Sequence, residues 1–549
     1  MKRRIRFLER VFGPKSPRPS DISRPVGQVP GGQNTRFRPF APRAGSEELE
    51  FGLGLGTGMP LSSSFHELCG SHYLIGAGTG KGKSRLVATL IMQYCRRLSR
   101  TGAPGVVLLD PKSETVDLVL RQIAHEAPTW PKQEQDRLLS SLMVIAPCRR
   151  QSAVSPLQLL SAQPHEAEAR AAEVSEALTQ GVEADMGVLQ EVVLGNVLAL
   201  AIEDREDWSL VEIPHLLSDE ALLRQMADRS HLPGPKAYVL SGRLGREGGK
   251  RISGIQARIE KLLRIERLRL ALAAPGLVDL GDSFRGKITL IDLGSDYGAE
   301  EATRIIGRML FARLVASLFS QPLESLLPTL MVCEEFPDLL GKGLGAKAER
   351  LFSQARSRKT GCMVLFQTPA QLQKDGLLRV LQANARITLL GQMPALEAKA
   401  FEELLLQTGQ VPRPLQPGEI LPKALYLTPQ EEKSFRLDEI GRLPPATLFF
   451  SDRVHRDKTM FITARHFDPP AWSEIQRRVP LELLHRIRNG SHSLPLHEAK
   501  RTYERRLERL TELARDRELA EDPAGLLPQR PAAGTGASRR RRRTRGEMP

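Results

Sequence analysis

Eight consecutive residues, Ala77-Gly78-Thr79-Gly80-Lys81-Gly82-Lys83-Ser84, combine glycines, lysines and a hydroxyl at a spacing that suits phosphate chemistry. Glycine removes the side chains that would hold a ligand off the backbone, so successive N–H groups can wrap a β-phosphate at a helix N-terminus. Lys83 then faces the β/γ oxygens, and the Ser84 hydroxyl is placed to ligate Mg²⁺. The flanks fit this reading. An apolar run over 72–76 precedes the loop, and Leu86, Val87, Leu90, Ile91 and Tyr94 follow it at helical spacing. Ala77 to Ser84 are therefore expected to bind ATP with Mg²⁺. The first position is Ala77, where glycine is commoner.

Three strand-like runs end in acids that can serve a metal: 106–110, 288–292 and 330–335. Only the last ends in a pair, Glu334-Glu335. Phosphoryl transfer uses one strand-end acid to hold the metal's water shell and a neighbour to orient the attacking water. Glu334 is accordingly assigned to the metal and Glu335 to the water. Gln367 closes another apolar run, 363–366. An amide at the carboxyl edge of a sheet faces the crevice where open α/β folds bind ligands, so Gln367 is expected to bond the γ-phosphate or the attacking water. Arg356 and Arg358, just upstream, are candidates to stabilise charge on the transferring group.

The elements that must position these residues are short apolar runs bounded by Gly, Pro or charged residues: 73–76, 106–110, 143–146, 287–293, 329–333, 362–367 and 386–390. They alternate with helical segments, which argues for an α/β fold with a parallel sheet covered on both faces. The series breaks over 156–272, where Val188, Val192, Val193, Val197 and Leu200 keep helical spacing. This stretch is expected to be an inserted, mainly helical domain with loops at 233–235 and 245–249. Segments 443–450 and 460–463 read as two strands pairing as a hairpin, and 495–520 as a charged helix with Tyr503, Leu507, Leu510 and Ala514 on one narrow stripe.

Composition bounds the rest. A chain of 549 residues, 41% hydrophobic and 26% charged, can bury a full core. Its net charge of +15 is located in two places: 1–45 carries +9 and 530–549 carries +6, the latter centred on Arg539 to Arg543 and Arg545. Both stretches are expected to be disordered tails that grip nucleic acid or an anionic membrane surface, or that only solubilise the chain. Five scattered cysteines without metal-ligand spacing suggest reduced thiols in a cytosolic setting. No run approaches eighteen apolar residues and no secretory signal is evident, so a cytoplasmic protein without a membrane-spanning helix is expected. The resulting division is a basic tail at 1–50, ATPase segments at 51–155 and 273–470 around a helical domain at 156–272, a helical extension at 471–529, and an Arg-rich tail at 530–549.

With these residues assembled, the chain resembles the TraG/TraD-type coupling-protein ATPases of conjugation and type IV secretion, within the HerA/FtsK superfamily. The resemblance rests on Gly76 to Ser84, on Leu109-Asp110-Pro111-Lys112-Ser113-Glu114, on Glu334-Glu335-Phe336, and on Gln354-Ala355-Arg356-Ser357 leading to Phe366-Gln367. It covers about 50–470, and the helical insertion looks like the family's all-α domain. It implies a P-loop, RecA-like ATPase that forms a ring, as a hexamer, hydrolyses ATP at subunit interfaces and moves DNA, with Arg356 matching a family arginine that senses the γ-phosphate. Relaxase or secretion-channel proteins are the partners it implies, with docking at the inner membrane through a partner or the basic tails. Two departures stand out. The family's Asp-Glu pair is Glu-Glu here, and the membrane-spanning N-terminus common among coupling proteins is missing from this sequence. A protein cargo in place of DNA, or a nucleotide-dependent scaffold with little hydrolysis, are the alternative readings.

Overall fold

The computed structural model describes residues 47–521 apart from internal stretches, the longest at 406–425. The Arg-rich segment 530–549, the basic segment up to residue 46 and the expected loop residues 245–248 lie outside the described residues. Two compact units are present, Met1–Tyr503 and Glu504–Pro549. In the second, the described residues continue one helix, Leu496–Glu521, and Leu507 on it is 40% exposed.

Thirteen strands occur among the described residues: β1 (Glu48–Gly54), β2 (Pro60–Ser64), β3 (His72–Gly76), β4 (Gly105–Asp110), β5 (Leu142–Ile145), β6 (Ala153–Val154), β7 (Ile288–Asp292), β8 (Thr329–Cys333), β9 (Thr360–Phe366), β10 (Ala385–Leu390), β11 (Thr447–Asp452), β12 (Met460–Ala464) and β13 (Leu494–Pro495). Eleven of them form one sheet in the order β2-β1-β12-β11-β10-β3-β9-β8-β4-β7-β5. From β10 to β5 every neighbouring pair is parallel. These seven strands coincide with the seven apolar runs of the sequence, within a residue or two at their ends. Residues of β3, β4, β7, β8 and β9 are buried throughout. That is why they read as continuous apolar runs and not as alternating ones.

The antiparallel edge was only half legible. β11 and β12 pair as the expected hairpin, but β1 and β2 add beyond them. β1 starts at Glu48, inside the segment expected as a tail. Its Phe51 is nonetheless fully buried, 5.0 Å ring to ring from Phe450 of β11.

Helix α1 (Lys83–Thr101) follows β3, and helix α2 (Glu114–Glu126) follows β4. Leu86, Val87, Leu90, Ile91 and Tyr94 of α1, at helical spacing, are each at most 1% exposed and pack on the sheet. Burial of one such side chain contributes about 1.5–3 kcal/mol. In sheet order β9 and β8 lie between β3 and β4, so the α1 crossover passes over two strands and opens a crevice at their carboxyl ends.

Between β6 and β7 the chain is helical, from Ala167–Thr179 and Ala184–Glu203 to Gly249–Leu263 and Glu266–Ala273. One expectation needs correcting here. Pro233 to Pro235 do not form a loop but open the helix Pro233–Leu240, because proline's fixed φ and missing N–H suit a first helical turn. Val193, Val197 and Leu200 are buried as their spacing suggests, but Val188 and Val192 are exposed.

The C-terminal helices Trp472–Arg478 and Leu481–Asn489 pack back onto the core of the large sheet. Ile475 and Ile487 are buried in it, and Trp472 Nε1 donates to Asp117 Oδ1 of α2 at 2.6 Å. β13 pairs with β6, which ties the same extension to the entry of the helical insertion.

Candidate functional site

The parallel register brings the ends of β3, β9, β8 and β4 to one edge, and there a cavity of about 310 Å³ opens. Thr79 to Arg85, Lys112, Glu114, Glu334, Glu335, Leu365, Gln367, Pro445 and Ala446 line it.

The loop after β3 is shaped by its glycines. Gly80 and Gly82 adopt φ of +72° and +94°, a region that L side chains enter only at a cost. Gly82 caps α1 with no side chain over it, so the helix start faces the cavity as an anion site. Ala77 and Gly78 lie behind this wall. Ala77 N–H donates to Phe366 O at 3.4 Å and Gly78 N–H to Gln392 O at 3.0 Å, so the cradle begins at Thr79 and not at Ala77. The unusual Ala77 has a partner in Gly391: a Cβ placed there would come 2.6 Å from that of Ala77. The Ala77 methyl occupies the space that a side chain at position 391 would need, a fit invisible in the eight-residue pattern. From the far side, Ala446 N–H donates to Lys81 O at 3.2 Å, which pins the loop to the β11 entry.

Lys83 Nζ donates to the carbonyls of Ala77 and, at 3.2 Å, Gly78. Burial lowers its pKa, opposed by Glu335 and Glu334. Ser84 Oγ donates to Glu114 Oε2 at 3.3 Å. Glu114 and Lys112 were legible only as parts of a family motif, without a role. Both stand at the N-terminal start of α2, where the sharp turn after β4 aims them into the cavity.

The three strand-end acids divide into distinct jobs. Asp110 accepts from the backbone N–H of Lys112 (2.9 Å), Thr115 (2.8 Å) and Val116 (3.0 Å), so it caps α2. Burial pushes its carboxyl up to about 6; the nearby Asp292 adds to this, and the three N–H bonds oppose it. Asp292 accepts from the Ser113 hydroxyl and from Gly294 N–H at 3.0 Å. Both acids thus brace backbone turns, and of the strand-end acids it is Glu334 and Glu335 that line the cavity.

Glu334 is buried and accepts from the Thr115 hydroxyl. Burial, with Asp110 close by, holds its pKa well above the usual carboxylate range. Glu335 sits at φ +44°, a strained conformation for a residue with a side chain. Ser113 (φ +67°) and Ala446 (φ +62°), which flank the same cavity, share this strain. Glu335 Oε1 accepts from Gln367 Nε2 at 2.6 Å and from Lys112 Nζ at 2.7 Å, while Gln367 Oε1 accepts from Thr79 Oγ1 at 3.0 Å. A polar chain therefore runs from the glycine loop to the strand-end glutamate.

The two arginines are elsewhere. Arg356 and Arg358 precede β9 and so stand at the opposite edge of the sheet from the cavity. Arg358 is tied to the carbonyls of Leu318, at 2.9 Å, and Gln321, which makes it a brace for the end of the helix Glu300–Ser320. Arg356 is exposed and does not line this cavity.

The residues fit a magnesium nucleotide. An uncapped helix start and Lys83 suit phosphates, and Ser84, Glu114 and Glu334 are the oxygen donors a hard cation takes. Among the described residues no cluster of three or more His, Cys, Asp or Glu forms a metal cage, so the ion would share its shell with water and phosphate.

Residues 50–314, which contain the glycine loop, Lys112, Glu114 and the helical insertion, match the family model of the Helicase HerA central domain. That stretch is similar to the central domain of HerA. The chain is also similar to solved structures. The unbound monoclinic form of the bacterial conjugative coupling protein TrwBdeltaN70 is 14% identical, covers 78% of this chain and 92% of its own, and has a TM-score of 0.44. TrwB in complex with ADP and Mg²⁺ is 12% identical, with 76% and 89% covered and a TM-score of 0.43. VirB4 of Thermoanaerobacter pseudethanolicus is 13% identical, with 79% and 99% covered and a TM-score of 0.43. At such identities and scores the α/β assignment stands on the sheet itself. No curated protein matches the chain. Among the described residues no helix is long and apolar enough to cross a membrane.

Proposed function

We propose that this chain is an ATP-driven DNA translocase of the conjugative coupling-protein type. The observation that carries the reading is the convergence of Lys83, Ser84, Glu334, Glu335 and Gln367 on one cavity at the carboxyl edge of the parallel sheet. Lys83 binds and neutralises the phosphates, and Ser84, with Glu114 and Glu334, holds the magnesium shell. Bound magnesium supplies charge neutralisation at the phosphate oxygens. Glu335 orients a water for attack, and Gln367 links that glutamate to the loop through Thr79, so a change at the phosphates reaches β9.

Arg356 serves a neighbouring subunit. It is exposed on the edge away from its own cavity, which suits a homo-oligomeric ring, a hexamer by family resemblance, in which each site is completed across an interface. DNA is the cargo, with the basic segments 1–45 and 530–549 adding counterion-releasing contacts. Relaxase or channel proteins are its partners, at the cytoplasmic side of the inner membrane.

Steady-state ATP hydrolysis with and without single- and double-stranded DNA, beside Lys83→Ala, tests the reading. Strong stimulation by DNA that vanishes in Lys83→Ala is the expected result. Turnover indifferent to DNA points to a protein cargo, and turnover equal to that of Lys83→Ala points to a scaffold.

A further inference from the structure

Glu335 carries two donors on a single oxygen. Lys112 Nζ and Gln367 Nε2 both bond Oε1, at 2.7 and 2.6 Å. A carboxylate held this way has its charge balanced by the ammonium and one oxygen already occupied by two donors. Gln367 is a neutral donor that Glu335 can keep while it works, but an ammonium on the same oxygen opposes that work directly, because it competes for the lone pairs that would accept a water proton.

Lys112 is built to leave. Its backbone is fixed, because its N–H donates to Asp110 Oδ1 at 2.9 Å. Its side chain is 47% exposed and already lines the cavity with Lys83. An ion pair whose lysine is half in water is weakened by solvent on that side and exchanges readily for a stronger acceptor. The terminal phosphate of a nucleoside triphosphate brings more negative charge than one carboxylate and more acceptor oxygens, so it outcompetes Glu335 for the ammonium. A diphosphate brings no such group.

We propose that Lys112 is a positioning residue that masks Glu335 in the empty or diphosphate-bound site and moves to the terminal phosphate when a nucleoside triphosphate binds, leaving Glu335 free. The inference rests on the reading of the cavity as a nucleotide site. It makes readiness for hydrolysis conditional on the γ-phosphate, and it gives a role to a residue of the turn after β4 that the phosphate-loop pattern does not include.

The test is calorimetric titration of the full chain with Mg²⁺ and either ADP or the imido analogue of ATP, for wild type, Lys112→Met, Lys112→Gln, Lys112→Arg and Lys83→Ala. The expected result is an approximately tenfold loss of affinity for the triphosphate analogue in Lys112→Met and Lys112→Gln, about 1.4 kcal/mol, with ADP affinity unchanged. Lys112→Arg keeps the preference. Unchanged ADP affinity also reports an intact fold. Equal weakening for both nucleotides, or a wild-type ratio in both neutral variants, overturns the proposal. Wild-type affinity for both nucleotides in Lys83→Ala instead overturns the nucleotide-site reading beneath it.

Discussion

Gln367 Nε2 lies 2.6 Å from Glu335 Oε1, and its other terminal atom accepts from Thr79 Oγ1 at 3.0 Å. One amide thus joins the glycine loop after β3 to the glutamate after β8, across the end of β9 that stands between them in the sheet. Removing it leaves the phosphates' own contacts in place but unfixes Glu335. We therefore expect Gln367→Ala to lower kcat about tenfold or more with little change in KM, which steady-state kinetics reads directly. A change confined to KM would assign Gln367 to nucleotide binding instead.

Glu335→Gln tests the glutamate itself. The amide keeps the shape and loses the charge, so nucleotide binding is retained. Loss of a positioned acid or base costs about 10²–10⁴ in rate, and we expect turnover to fall within that range while affinity for a non-hydrolysable analogue stays within a few-fold of wild type. Normal turnover in Glu335→Gln would remove the assigned role. Asp110 and Asp292 are poor substitutes, because each already braces a backbone turn.

How far the sequence revealed this site depends on where each signal lies along the chain. The glycine loop and the Glu334-Glu335 pair are local patterns next to buried strands, and both were readable. The seven parallel strands were readable because double-sided burial makes each one a continuous apolar run. β1 and β2 were not, since Glu48 to Gly54 mixes acids and glycines with only three large apolar residues. Lys112 and Glu114 were also beyond reach as individual site residues, because their presence in the cavity depends on β4 lying beside β8, a pairing of residues over 200 positions apart. The placement of Arg356 turns on strand direction, which a motif does not encode.

Ala77 and Gly391 offer a test of packing under the loop. A methyl at Gly391 would come 2.6 Å from the Ala77 Cβ and 3.1 Å from Leu448 Cδ2. Leu448 can give way, but Ala77 sits on backbone that shapes the phosphate cradle. Overpacking of this kind costs about 1–3 kcal/mol. We expect Gly391→Ala to lose that much stability and to weaken nucleotide binding, and the added change Ala77→Gly to restore most of both. Additive effects in the double variant, measured by urea unfolding, would show that the two positions do not interact.

Arg386 on β10 anchors the opposite edge. Its guanidinium bonds Asp452 of β11 at 3.3 Å and Glu67 at 2.9 Å, while Asp452 is fully buried. Removing one partner strands a buried charge, which costs about 3–5 kcal/mol. Arg386→Ala is expected to lower the urea midpoint accordingly, and the double change Arg386→Met with Asp452→Leu to recover much of the loss. A shift below about 1 kcal/mol would mean that Asp452 finds its charge balance elsewhere.

His72 gives the fold a pH dependence whose sign can be worked out. It is buried at the start of β3, where its Nδ1 accepts from Cys362 N–H at 3.0 Å across the β3–β9 pair. Burial lowers its pKa from the usual 6.5 to about 4; the Phe352 carbonyl opposes this, and Arg356 pushes the same way as burial. Between these two values the unfolded chain binds a proton that the folded chain does not. The stability due to a neutral His72 is therefore complete above about pH 6.5 and is lost as pH falls toward 4, by about 3 kcal/mol in all from 1.36 kcal/mol per unit. Other carboxylates titrate in the same range, so the decisive quantity is the difference between wild type and His72→Gln, in which an amide oxygen can still accept from Cys362 N–H. Urea unfolding from pH 7.5 to 4.5 should show wild type losing stability more steeply than the variant. Parallel curves would mean that His72 titrates alike in the folded and unfolded chains, which its burial beside β9 argues against.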